Sequence, residues 1–191
     1  MSENKLRIGF GMCGSFCTHS KAVEVMKNLA KTYNIFPIIS DISKNTDTRF
    51  GTSEALLQKM FEISGKSPID NVKDAEPLGP AVPLDAMVIC PCSGNTLAKL
   101  AHGITDNGVT MAAKATARCN RPIVIALATN DALGASLENI GRMYNKKNVF
   151  FVPVSQDDSK NKPYSLVCDF SLTEKTLELA LKGEQIQPFL K

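Results

Sequence analysis

The run Ala86–Met87–Val88–Ile89–Cys90 is uniformly apolar, without the alternation of a half-exposed strand, and leads straight into Pro91–Cys92–Ser93–Gly94–Asn95–Thr96. No other feature narrows the fold as much. A short apolar run that never alternates suits a strand covered on both faces, as in a parallel sheet between two layers of helices. Pro91 is expected to end it. Ser93, Asn95 or Thr96 can then cap a helix whose apolar residues Leu97, Leu100, Ala101 and Ile104 recur at helical spacing, with Gly103 positioned to stop it. The first amides of such a helix have no intrahelical acceptor and face the sheet edge where open α/β folds bind ligands. An ordinary strand-turn-helix without a ligand fits the same residues.

The flanking sequence supplies the other layers. Strands are expected over 6–10, 35–40, 123–128 and 149–152, and helices over 18–33, 52–64, 109–118, 133–144 and 172–182. The stripe Ala22, Val23, Met26, Leu29 and Ala30 is a core face. Residues 41–50 read as polar turn sequence carrying Arg49, and 155–163 as a polar loop. Residues 66–83, with Pro68, Pro77, Gly79, Pro80 and Pro83, read as a long surface loop. Strands alternating with helices predict an α/β fold, a doubly wound, mostly parallel sheet of flavodoxin or Rossmann type with helices on both faces. A chain of 191 residues is one domain's worth, 1–191.

Charge and cysteine usage exclude several function classes. The formal charge of +3 comes from 22 basic and 19 acidic residues spread along the chain, so nothing points to nucleic acid or a membrane surface; a small anion fits better. Cys13, Cys17, Cys90, Cys92, Cys119 and Cys168 form no C-x-x-C pair, and His19 and His102 are the only histidines, so no metal site is expected. Met1–Ser2–Glu3–Asn4 does not open a leader, and no run approaches the ~20 apolar residues of a membrane span. An intracellular protein with reduced thiols is expected.

Gly9–Phe10–Gly11–Met12–Cys13–Gly14 satisfies G-x-G-x-x-G, which has more than one meaning. It can mark a dinucleotide fold, although Asp41 after the second strand comes late for the ribose contact. It can be a mononucleotide phosphate turn in which Gly14, Ser15 and Phe16 offer amides and Ser15 a hydroxyl. It can also be a tight turn and nothing more. His19 falls in the first turn of the following helix, where a capping or solvent-exposed role is expected. Three strand ends then converge: Gly14–Ser15–Phe16, Cys92 to Thr96, and Thr129–Asn130–Asp131.

The string PCSGNTLAKLAHGITDN resembles the P-A-S-A-N-T-x-A-K-x-A-x-G-x-x-D-N signature of the flavin-binding cysteine decarboxylase and flavin prenyltransferase superfamily. TRFG from Thr48, AEPLGP from Ala75, PLDAMVI from Pro83, MAAKATARCNRP from Met111, TNDALG from Thr129 and FFVPVSQDD from Phe150 extend the likeness over nearly the whole chain. The resemblance implies FMN as cofactor, its phosphate near Gly14, Ser15, Phe16 and Ser40 and its ring near Cys92, Ser93, Asn95 and Thr96, with Thr129 adjacent. It also implies a homo-oligomer, a trimer or a dodecamer, in which a neighbouring protomer covers the flavin.

Departures from the superfamily are as informative. Between His19 and His102 there is no histidine, where cysteine decarboxylases carry a catalytic one. Ala128–Thr129–Asn130 stands in place of their P-x-M-N clamp, and Asn130–Asp131 in place of the prenyltransferases' Arg-Glu pair. The longer strings resemble a member that works with an NAD-type partner subunit on a small dicarboxylate, in the cytoplasm of a sporulating mother cell. That resemblance implies oxidation of a dihydropyridine with flavin as acceptor. Asp131, with Asn130 beside it, is then the best general base, and capping of the next helix explains it equally well. Arg49, Lys114 and Arg118 are the cations nearest the expected edge for the carboxylates. A non-catalytic flavin-binding or dicarboxylate-binding partner, an FMN-dependent decarboxylase-like enzyme and an NAD(P) enzyme using Gly9, Gly11 and Gly14 remain open.

Overall fold

A computed structural model describes residues 5–191; the first four residues, on which the leader expectation bears, lie outside the described residues. In chain order the elements are β1 (Arg7–Met12), α1 (His19–Thr32), β2 (Asn34–Ile39), α2 (Asp41–Asn45), α3 (Ser53–Ser64), α4 (Val72–Ala75), β3 (Ala86–Cys92), α5 (Gly94–His102), α6 (Gly108–Arg118), β4 (Ile123–Thr129), α7 (Ser136–Tyr144), β5 (Val149–Phe151), β6 (Val154–Ser155), β7 (Leu166–Cys168) and α8 (Thr173–Ala180). The sheet runs β2-β1-β3-β4, all parallel, with Ile8 opposite both Ile35 and Ala86. Two strands share the outer edge of β4: β5 lies parallel along Ile123–Ile125, and β7 lies antiparallel along Ala128 and Thr129 and carries β6. The doubly wound, mostly parallel sheet is therefore as the sequence predicts, with an added antiparallel edge that short strands made hard to foresee.

The centre is where the apolar run placed it. Every residue of β3 is buried. The strand does not stop at Pro91, as expected, but continues to Cys92 through a cis Cys90–Pro91 peptide and a shift in its register with β4 between Ile89 and Cys92. Its neighbour β1 alternates large and absent side chains: Ile8, Phe10 and Met12 are fully buried on one face. On the other, a Cβ on Gly9 would stand 2.6 Å from Leu84 Cδ1, and one on Gly11 would stand 3.1 Å from Val109 Cγ1 at the start of α6. The first two glycines of the G-x-G-x-x-G string thus let Leu84 and α6 close on the sheet. Packing explains them without a nucleotide.

Two stretches expected to be irregular are ordered. Within 41–50, Ser40 at the N-cap starts the short α2. Residues 66–83 lie at the surface as expected but are not an irregular loop: Ile69 bridges to Ile38, its amide donating to Pro37 O at 2.9 Å, α4 forms within the segment, and Ala75 and Leu78 are buried. The prolines hid this because they fall between the anchoring residues, one of them inside a 3-10 turn at Glu76–Leu78. The helix expected from 133 begins at Ser136, since 131–134 forms a turn closed by Gly134 N donating to Asp131 O at 2.9 Å.

Gly108, the first residue of α6, carries the docking of this segment: a Cβ there would meet the backbone carbon of Asp70 at 3.0 Å and Asn71 N at 3.1 Å. Backbone cannot rotate aside as a side chain can. Gly108→Ala should therefore destabilise the chain by ~1–3 kcal/mol, whereas Gly141→Ala, with nothing within 4 Å, should not. Urea midpoints of the two variants check this.

Candidate functional site

The chain reverses its winding direction between β1 and β3, so the turns after β1, β2 and β3 face a common crevice at their carboxyl ends. A cleft of ≈ 360 Å³ lies there, with Ser40, Asp41, Ile42 and Asn45 on one wall and Ser93, Asn95, Thr96, Lys99 and Asn107 on the other. Ser93 is the N-cap of α5, its Oγ accepting from Thr96 N at 3.3 Å. Gly94 N and Asn95 N have no acceptor among the described residues, as the first amides of a capped helix should not. Asn95 is exposed, and its side-chain amide is unengaged among the described residues. Gly103 closes α5 at φ 72°, the left-handed stop that the sequence predicts.

The turn after β1 is clamped from three sides. Cys13 N donates to Pro91 O at 3.2 Å, and His19 Nε2 donates to Cys13 O at 2.8 Å. A Cβ on Gly14 would approach Ile42 Cγ2 to 2.7 Å, so only glycine lets this turn pack against the start of α2. Of the three amides expected to face a phosphate, that of Ser15 is spent inside the turn on Cys13 O at 2.9 Å. Its hydroxyl is unengaged among the described residues. Phe16 lies edge-on to His19, centroids 5.3 Å apart, and lines a smaller recess of ≈ 80 Å³ with Ser43 and Thr48 rather than the cleft. Ser40 is buried at the cleft, its Oγ donating to Ser43 Oγ at 3.1 Å.

Cys92 is where the sequence placed it along the chain, but its thiol is fully buried. It can offer the cleft its backbone only. Burial pushes the Cys90 and Cys92 thiols well up, and pushes Cys13 up to about 11 despite hydrogen bonds from Thr96 and Ser93. These thiols stay protonated at neutral pH and are no nucleophiles.

On the far side of the first turn of α5 stands a second group. Thr129 Oγ1 and Ser136 Oγ both donate to Asp131 Oδ1, at 2.6 and 2.9 Å. A Cβ on Gly94 would fall 2.6 Å from Thr129 Oγ1 and 3.0 Å from Asp131 Oδ1, so the glycine that replaces alanine in the superfamily string is what admits this carboxylate. The Asp131 side chain does not cap an α7 amide; its main-chain oxygen does that work, accepting from Gly134 N and Ser136 N. Asn130 is exposed beside it.

The three expected carboxylate-binding cations are not brought to the cleft. Arg49 sits on the tight Thr48–Gly51 turn with its guanidinium over the Phe50 ring, 4.9 Å from the centroid. Lys114 and Arg118 line a recess beside the first residues of β4 and β5, at the opposite edge of the sheet, and Arg118 pairs with Glu76 at 3.4 Å. Sequence proximity misled because α6 starts at the ligand edge and runs away from it. Lys99 does line the cleft, held to Asp106 at 2.6 Å, and Asn107 caps α6 through a reciprocal box with Thr110. Both were overlooked, yet Lys99 stands one helical turn beyond Asn95 and Thr96, a spacing visible in the sequence.

Comparisons with known proteins agree with this geometry. The family model described as Flavoprotein matches residues 1–176. The chain is 44% identical over 185 residues to the B subunit of dipicolinate synthase from Bacillus subtilis (strain 168), covering 96% of this chain and 92% of that protein. It is 27% identical over 151 residues to the flavin prenyltransferase UbiX of Neisseria meningitidis serogroup B, covering 78% and 77%. The crystal structure of the dipicolinate synthase B subunit from Bacillus halodurans C superposes with a TM-score of 0.90 at 40% identity, over 98% of this chain and 96% of that one. The FMN-dependent cysteine decarboxylase SpaF, at 23% identity, shares the fold with a TM-score of 0.69 over 93% and 95%.

His19 gives the β1 turn a pH signature. Burial lowers its pKa below the usual imidazole value, outweighing the bond to Cys13 O that favours the charged form. Protonation therefore favours the unfolded chain. The stability contributed by neutral His19 is complete above ~6.5 and is lost as the pH falls from there towards the lower folded value. His19→Gln should flatten this part of a denaturation-against-pH profile; an unaltered slope would show that the ring does not titrate with folding.

Proposed function

The chain belongs to the flavoprotein family, and we propose that it is the FMN-binding B subunit of a dipicolinate synthase. With an NAD-type A subunit it would convert a dihydrodipicolinate-derived dicarboxylate to pyridine-2,6-dicarboxylate, in the mother cell of a sporulating bacterium. The observation that carries this is the cleft at the β1/β3 winding reversal, where a buried serine and a free helix N-terminus meet and Ile42 packs against the Gly14 turn. Its ≈ 360 Å³ falls within the ~300–1,000 Å³ of small-molecule sites.

The residues fit FMN. Gly14, the Ser15 hydroxyl and Ser40 would hold the phosphate, while Ser93, Asn95 and Thr96 supply hydroxyl and amide groups for a flavin ring. An NAD(P) reading loses support, because Gly9 and Gly11 are accounted for by Leu84 and Val109. When bound, FMN supplies a two-electron acceptor. The chain itself contributes orientation and a proton acceptor: Thr129 and Ser136 fix Asp131 through Oδ1, and Oδ2 has no partner among the described residues. A dihydropyridine that loses a hydride must also lose a proton, and Asp131 would take it from beside the first turn of α5, where a Cβ on Gly94 would meet its Oδ1.

A second reading has an observation of its own. Lys99 is the single cation among the residues that line the cleft, and Asp106 already pairs with it. Two substrate carboxylates would need more, so a site completed by the A subunit, with this chain as a non-catalytic flavin-binding partner, is the alternative. A homo-oligomer, trimer or dodecamer, would also cover the site. Ile42, which lines the cleft and is 54% exposed, offers apolar surface for such a cover.

Asn95→Asp puts a charge where an amide stood and should weaken FMN binding ~10-fold or more, read by fluorescence quenching; an unchanged dissociation constant would remove Asn95 from the site. Synthase assays of the A subunit alone, with its flavin-stripped partner and with its FMN-loaded partner test the function directly. Activity confined to the loaded pair supports turnover, and equal activity with the stripped partner leaves only the non-catalytic reading. Asp131→Asn should lower that activity ~10²-fold if Asp131 is the base.

A further inference from the structure

The last turns of α5, α6 and α7 meet beside Ile123 and Val149, the first residues of β4 and β5, and enclose a recess of ≈ 600 Å³. It opens at the amino ends of the parallel strands, whereas the cleft lies at their carboxyl ends. Its floor is apolar, formed by Leu100, Ile104, Ala113, Ala117 and Met143 with the two strand residues. Around this floor stand Lys114, Arg118, Arg121, Lys146 and Lys147, and no aspartate or glutamate lines it. In a chain with 22 basic and 19 acidic residues, five cations without a lining acid are a local concentration.

Helix C-termini favour cations, and this accounts for part of the cluster. Lys146 Nζ donates to Leu100 O at 3.0 Å, near the end of α5, and Arg118 is held by Glu76. It accounts neither for the open apolar floor nor for Lys114, Arg121 and Lys147, whose side chains have no acceptor among the described residues. An apolar floor with convergent cations is complementary to a ring that carries carboxylates, and the volume suits a small molecule.

We propose that this recess is a second ligand site, for a small aromatic carboxylate whose ring lies on the floor and whose charges face Lys114, Arg121 and Lys147. It stands independently of the flavin reading, since no residue lines both the recess and the cleft. Lys114 would thus serve carboxylate recognition, but away from the cleft, while Arg118 stays paired with Glu76.

Isothermal titration with isophthalate, and with succinate as its ringless counterpart, tests this on full-length protein with and without FMN. Isophthalate should bind both forms alike and at least ~10-fold more tightly than succinate. Lys114→Gln combined with Arg121→Gln should weaken it ~10-fold or more. Ala117→Phe fills the floor without altering charge and should abolish it, with melting curves showing that both variants fold. Absence of isophthalate binding to the wild type, displacement of isophthalate by FMN, or wild-type affinity in either variant would each overturn the proposal. Failure of FMN to bind would count against the flavin reading alone.

Discussion

Burial of β3 on both faces is the constraint from which the rest of the molecule follows. Each of its large apolar side chains contributes ~1.5–3 kcal/mol only if helices cover the sheet above and below, and all seven of its residues are covered. The cover is close. Leu84 and Val109 reach the sheet through the gaps at Gly9 and Gly11, and Gly108 lets the 66–83 segment rest on α6. A parallel strand held this way ends in the interior of one edge, and whatever follows it is presented to the crevice. Here that is Ser93, Gly94 and Asn95.

The same burial sets the chemistry of the crevice. Cys13, Cys90 and Cys92 are enclosed, so desolvation keeps their thiols protonated and removes these three from the list of nucleophiles. What is left exposed at the edge is a set of hydrogen-bonding groups: helix amides, hydroxyls, the Asn95 amide and the Asp131 carboxylate. Such a set has the chemistry to hold and orient a small polar ligand. It does not by itself suit covalent catalysis. The close approach at Gly94 ties the Asp131 cluster to the first turn of α5, so the carboxylate and the helix amides are held by one rigid element.

Charge is divided between the two edges of the sheet. At the carboxyl edge Lys99 is paired with Asp106 and Lys44 with Asp70, which holds the Asp70 carboxyl below its usual range, chiefly through the Lys44 hydrogen bond. At the amino edge, cations gather without lining acids around an apolar floor. Helix direction accounts for part of the difference: helices that begin at the crevice end at the opposite edge, where carbonyl ends attract cations such as Lys146.

The sequence by itself determined the parallel α/β fold, the buried central strand, the Gly103 stop of α5 and a cap for that helix among Ser93, Asn95 and Thr96, and the set of strand ends that face the crevice. These are local matters, in which periodicity, capping chemistry and turn residues state the outcome within a few positions. Only the tertiary structure decided the rest. Gly9 and Gly11 have their partners at Leu84 and Val109, remote in sequence. The role of Ser15 N depended on whether the turn used it internally, and Cys92, though it directly precedes the cleft residue Ser93, has its thiol buried in the core. Lys114 and Arg118 were assigned by closeness along the chain, yet a helix of 11 residues at 1.5 Å per residue carries its end to the other side of the sheet. Sequence states which groups a chain possesses and what each segment prefers; which groups stay free to meet a ligand is settled by packing between segments that the sequence keeps apart.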